Sequence, residues 1–122
     1  MTDRCDESDD RTGLSAAYRS RSVAAAWQRG AAARAGAMGP LTETMLDLAG
    51  VAPSSRVLDV AAGTGEQTIL AARRVGPTGR VLAVDISPGM VALAAEQAQA
   101  AGLANVETLA VDAQALNLEP GS

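Results

Sequence analysis

No histidine occurs among the 122 residues of the chain, and Cys5 is its single cysteine. With no second thiol there is no internal disulfide, and with neither imidazole nor a thiolate pair there is no zinc site of the usual ligand types. Cys5 stands in a polar stretch and reads as an incidental exposed thiol. No apolar run is long enough to cross a bilayer. The opening MTDRCDESDDRTG has neither the apolar h-region of a secretory signal nor the Arg-rich, acid-poor character of a transit peptide, so the default location is the cytoplasm. Basic residues are also in deficit: ten Lys and Arg against fourteen Asp and Glu leave a net charge of −4. That balance argues against a nucleic-acid partner held through its phosphates. What remains, at 48% hydrophobic residues, suffices for one domain with a modest core.

Three segments differ in character. Residues 1–13 combine many charges with almost nothing to bury and read as a disordered acidic tail. Residues 14–52 read as N-terminal helices. VAAAWQRGAAARAGAM, from Val23, is Ala-rich and Arg-bearing, with Gly30 and Gly36 expected to divide or end its helix. Gly39-Pro40 is expected to stop that helix and open the next with proline in its first turn. Leu41, Met45 and Leu48 then form one apolar face, and Gly50 takes a left-handed terminal position. From residue 53 to 122 strands and helices alternate. Arg56–Val60 is a short β-branched run, Thr68–Val75 a helix closed by Gly76-Pro77-Thr78-Gly79, and Arg80–Asp85 a second apolar strand. Ser87-Pro88 caps a helix running to about Ala101 with apolar Met90, Val91, Leu93, Ala94 and Ala98, and Val106–Asp112 is a third strand. This alternation predicts an α/β fold with a parallel sheet covered on both faces.

Between the first strand and its helix the chain reads VLDVAAGTGEQT. Glycines at a strand-to-helix turn let a ligand lie against the main chain, where helix N-terminal N–H groups also point. Gly63 and Gly65 are therefore candidates for holding a nucleotide-type ligand. Asp85, ending the next strand about twenty residues on, is placed to accept hydrogen bonds from ribose hydroxyls. The plainer alternative is a tight turn that needs glycine, with Asp85 as a helix-proximal cap. A dinucleotide fingerprint wants Gly or Ala where Thr68 stands, and a P-loop wants Gly-Lys-Ser/Thr where Gly65-Glu66-Gln67 stands. Glu66, with Asp59 just before the loop, would also repel a pyrophosphate. A ligand with a cationic centre and an ammonium group suits this acidic loop better, and S-adenosylmethionine is such a ligand.

VLDVAAGTGEQT resembles motif I of the class I S-adenosylmethionine-dependent methyltransferases, in particular the ubiquinone/menaquinone-biosynthesis C-methyltransferase branch. RVLAVDISPGMVALA and NVETLAVDAQALNLEPGS resemble the next two blocks, in order and spacing, so that the resemblance covers Trp27 to Ser122. It implies a Rossmann-like doubly wound parallel sheet. It further implies that Asp59, Ala61, Gly63 and Gly65 line the methionine end of S-adenosylmethionine, with Asp59 reaching its amino group, and that Thr68 also contacts the cofactor. Asp85 would hold the ribose, Ile86 and Met90 would cover the adenine, and Asp112 with Ala113 would meet its edge. Ile86 and Met90 are equally well placed as core residues.

The family's sheet continues where this sequence stops, after the third strand, so an incomplete, cofactor-binding half is expected. It would act on a small-molecule acceptor, without nucleic acid, and would tend to self-associate through a sheet edge left unpaired beside Arg56–Val60. No residue reads as a general base. The competing readings are a non-catalytic module that completes its sheet with a partner chain and, disfavoured by Thr68 and Glu66, a nicotinamide-dependent oxidoreductase.

Overall fold

The computed structural model describes residues 21–120; the acidic tail with Cys5 lies outside them. Helices α1 (Arg21–Arg29) and α2 (Ala31–Leu48) precede β1 (Arg56–Val60), α3 (Glu66–Val75), β2 (Arg80–Asp85), α4 (Pro88–Ala100), β3 (Val106–Ala110) and a 3-10 turn at Ala113–Ala115. Among the described residues no helix is long and apolar enough to cross a membrane. The strands are parallel in the order β1-β2-β3, with Val57 beside Val81 and Val81 beside Val106. The three strand runs therefore pair in chain order, as the alternating pattern implies. The third ends at Ala110, two residues short of the expected Asp112, and α3 begins at Glu66, two residues ahead of Thr68.

Both crossovers step in the same direction along the sheet, so right-handed connections put α3 and α4 on one face, where they touch. Alternation along the strands turns Val57, Val81 and Val106 toward that face. There they close a small core with Ala71, Ala72 and Val75 of α3 and Leu46 of α2. Neither α3 nor α4 covers the opposite face, where Val84 is nonetheless buried and Leu118 lines a groove with Leu58 and Leu82, so the expected helical cover on both faces is corrected. On that opposite face Leu58 (42% exposed), Val60 (50%) and Leu109 (43%) stand open.

The N-terminal helices depart most from expectation. Gly30 does separate α1 from α2, but α2 runs unbroken through Gly36, Gly39 and Pro40. A proline in mid-helix deletes one backbone bond and presses on the preceding turn. Here the helix is fixed on both sides of it. Arg34 reaches Glu66, and beyond the proline Arg74 of α3 donates to Asp47 Oδ1 at 2.6 Å and to the Glu43 carboxylate. Tertiary anchoring thus overrides the local stop signal. The helix phase moves with it: Thr42 and Leu46 are buried, while Leu41, Met45 and Leu48 of the expected apolar face are exposed at 61, 45 and 85%. Gly50 does take a positive φ of 72° at the helix end.

Two side chains join the elements. Ser87 Oγ accepts from Met90 N at 3.2 Å and caps α4, as Ser87-Pro88 predicts. Asn105, at the approach to β3, donates through Nδ2 to the carbonyls of Ala72 (2.9 Å) and Gly76 (2.8 Å), capping the C-terminus of α3 from a distance.

Candidate functional site

The loop after β1 is held in an uncommon backbone conformation. Ala61 has φ +58°, which a residue with a Cβ seldom adopts, and Ala62 N donates to Val84 O at 3.0 Å, keeping the loop on the end of β2. Gly65, the residue before α3, has φ +95°. A Cβ there would lie 3.0 Å from Ala94 Cβ and 3.1 Å from Ala94 Cα, so both the torsion and the approach of α4 require glycine. Gly63 is different. Its φ is +59°, yet a Cβ would meet nothing within 4 Å. The space beside it is open, as a main chain approached by a ligand requires.

Asp85 ends β2 under this loop. Its Oδ2 accepts from Gly63 N at 3.0 Å and its Oδ1 from Ser87 N at 2.9 Å. One carboxylate therefore ties the loop after β1 to the turn before α4. Each oxygen retains capacity to accept another hydrogen bond. The cap-like alternative is correct for Oδ1 and incomplete for the residue.

Asp59 lies behind the loop, near the end of β1, and accepts from Thr68 Oγ1 at 2.6 Å. Burial pushes its carboxyl above the ordinary value; the Thr68 hydrogen bond opposes this, and the Asp85 charge adds to the rise. Thr68 is fully buried. Glu66, in the first turn of α3, accepts from Thr64 Oγ1 at 2.7 Å and pairs with Arg34 Nη2 at 3.0 Å. Its charge is thus answered by an arginine from the N-terminal helices.

A cleft of about 460 Å³ opens at this end of the sheet. It brings together seven of the residues singled out in the sequence: Ala61, Gly63, Asp85, Ile86, Met90, Asp112 and Ala113. Asp59, Gly65 and Thr68 do not line it; they support the loop from behind. Met90 is 4% exposed, closer to the core than to an open wall. Asp112 caps the 3-10 turn through Oδ1, which accepts from Gln114 N at 2.9 Å. Trp27, Val60, Val84 and Val111 also line the cleft; the valines stand within the three motif blocks without being among the contacts the resemblance implies, and Trp27 has one signal, as the single tryptophan of the chain. A second cleft of about 520 Å³, between α2 and α3, shares Trp27, Ala61 and Gly63 with the first and adds apolar Met38, Ile69 and Leu70.

A family description, "Methyltransferase domain", matches residues 57–122. The ubiquinone/menaquinone biosynthesis C-methyltransferase of Ectopseudomonas mendocina is 42% identical over 72 residues, which is 58% of this chain and 28% of the relative. The chain therefore spans under a third of that relative's length. A SAM dependent methyltransferase from Aquifex aeolicus superposes with a TM-score of 0.55 at 35% identity, over 58% of this chain and 38% of that one. An RNA methyltransferase from Salinibacter ruber, solved with S-adenosyl-L-homocysteine, gives 0.59 at 33% identity over 63% and 50%.

The environment of Asp59 has a consequence for stability. A carboxyl with a raised folded-state pKa binds more protons in the folded than in the unfolded chain, so its ionisation destabilises the fold as pH rises through that pKa. Asp59→Asn can still accept from Thr68 and carries no charge. It is expected to melt at or above the wild-type temperature at neutral pH, with the difference shrinking as pH falls toward the ordinary carboxylate range. Calorimetry across that range measures it, and a variant less stable at pH 7 than at pH 4, relative to wild type, contradicts the assignment.

Proposed function

This chain belongs to the methyltransferase domain family, and on that premise we propose that it binds S-adenosylmethionine in the cleft over Asp85 and serves methyl transfer to a small-molecule acceptor. The observation that carries the reading is the Asp85 carboxylate, fixed by Gly63 N and Ser87 N beside a glycine whose missing side chain leaves open space. A pair of ribose hydroxyls suits the remaining acceptor capacity. Ile86 and Met90 offer apolar surface to a base, and Asp112 with Ala113 its polar edge. Behind the loop, Asp59 and Thr68 are bonded side chain to side chain and brace the methionine end; a reach of Asp59 to the amino group is what the family resemblance implies.

S-adenosylmethionine supplies a sulfonium methyl that is open to displacement in line. The contribution of the protein is to orient and to exclude water, and positioning alone lowers such a barrier substantially. The second cleft supports an acceptor site, because it meets the first at Ala61 and Gly63 and is apolar at Met38, Ile69 and Leu70. A net charge of −4 supports a small molecule over RNA.

The exposed sheet face favours a second reading, in which this chain contributes a cofactor-binding module that associates with another chain. Leu58, Val60 and Leu109 form an apolar surface, and β1 is an outer strand of the described sheet. On this reading the purified 122-residue chain is oligomeric and transfers no methyl group by itself. Light scattering during size exclusion, together with a transfer assay, tests it: a monodisperse monomer that methylates a small molecule rules it out.

Two substitutions test the cofactor site. Asp85→Ala is expected to weaken S-adenosylhomocysteine binding by about 1.5–3 kcal/mol, the range for hydrogen bonds to a charged group. Titration calorimetry measures this, and an unchanged dissociation constant would reduce Asp85 to a loop tie. Gly63→Val combines an unfavourable torsion with a side chain in the open space, and should abolish binding while circular dichroism still reports a folded chain. A folded Gly63→Val protein with normal affinity would remove the loop from the site.

A further inference from the structure

Arg34 lies in the first turns of α2, and its guanidinium folds back across the junction with α1. Nη2 donates to the carbonyl of Trp27, lies 3.0 Å from Glu66 Oε1 and 3.4 Å from Thr64 Oγ1. Its Cζ stands 4.7 Å from the centroid of the Trp27 ring. One planar cation thus touches α1, the glycine loop and the start of α3 together.

The surroundings are arranged for this contact. A Cβ on Gly30 would lie 2.7 Å from Arg34 Nη1, so the glycine between the two helices leaves room for the guanidinium. Thr64 is 2% exposed and gives its hydroxyl to Glu66, which orients the carboxylate that Arg34 meets. Trp27, half exposed, walls both clefts at the place where they adjoin.

We propose that Arg34 is a positioning residue for the ligand site: paired with Glu66 and stacked on Trp27, it straps the N-terminal helices to the glycine loop and holds the indole as the common wall of the two clefts. The inference rests on the cofactor reading above and extends it to residues outside the family match. A rigid guanidinium fork suits the role better than an ammonium, since it can stack and donate in one geometry. The pair is partly solvated, at 32% and 22% side-chain exposure. An ion pair so exposed is weak and is screened by salt, so the strap can open for ligand exchange.

Trp27 is the single tryptophan, so indole emission reports on this wall alone. Five proteins are compared: wild type, Arg34→Gln, Glu66→Gln, the double variant and, as the conservative replacement, Arg34→Lys. Loss of the strap is expected to make Trp27 roughly twofold more accessible to acrylamide and to weaken S-adenosylhomocysteine about threefold to tenfold, mainly through faster dissociation, with unchanged far-ultraviolet circular dichroism. The double variant should be no worse than the poorer single one, since both remove the same contact. Arg34→Lys should recover part of the affinity and little of the acrylamide protection. Quenching and dissociation rates unaltered by Arg34→Gln, or effects of the two single substitutions that simply add, would overturn the proposal. If Arg34→Gln does not fold, Glu66→Gln alone decides in the same way. If wild type binds no S-adenosylhomocysteine, the cofactor reading falls, and acrylamide access in the free protein still decides whether Arg34 fixes Trp27.

Discussion

The Asp85 carboxylate is the point on which this structure turns. Backbone amides from two different crossovers converge on it, Gly63 N on one oxygen and Ser87 N on the other. An anion that receives two N–H groups stays ordered at the end of its strand, and the loops that supply them are ordered in turn. The same carboxylate raises the electrostatic cost of ionising Asp59 behind the loop. Loop shape, cleft shape and the proton affinity of a second acid are thereby joined.

Small side chains make this arrangement possible. Ala71, Ala72, Ala83, Ala94 and Ala98 are all buried, and alanine at these contacts lets helices approach the sheet and each other closely. The approach at Ala94 is close enough that a Cβ at position 65 would be crowded, and the positive φ there adds to the demand for glycine. The thin core has a corresponding weakness, for little apolar surface is removed from water per residue. Much of the joining is therefore polar, through Arg74 to Asp47 and Glu43, Arg34 to Glu66, and Asn105 to the end of α3.

The sequence made the sheet side of the molecule legible and the helical side only in part. Continuous apolar runs such as RVLAVD can be little else than buried parallel strands, and Ser87-Pro88 carries its cap in its chemistry. Gly63 and Asp85 were readable because a glycine turn after one parallel strand and a carboxylate at the end of the next are brought together by topology, whereas Ile86, Asp112 and Ala113 were reached through the family resemblance. Pro40 misled because its local preference is strong and the ion pairs that overrule it come from α3, more than thirty residues away at Arg74. The buried stripe of α2 was displaced by one residue for the same reason. Trp27 and Arg34 stayed out of view because they reach the loop from an element whose position no local pattern encodes. The open face of the sheet was missed because alternation of strands and helices states how many layers can form, while the direction of successive crossovers states on which side.

Asn105 gives the third strand an unusual dependence. Its amide stands at the start of β3 but satisfies carbonyls at the end of α3, which belongs to the previous crossover. An edge strand is ordinarily the first part of a sheet to detach, since it is bonded on one side only. Here detachment would also strip the terminal turn of α3 of its hydrogen-bond donors, and that turn holds Val75, a fully buried member of the core. Opening of the edge and loosening of the centre are therefore one cooperative event, and amide protons of β3 should exchange with solvent together with those at the end of α3.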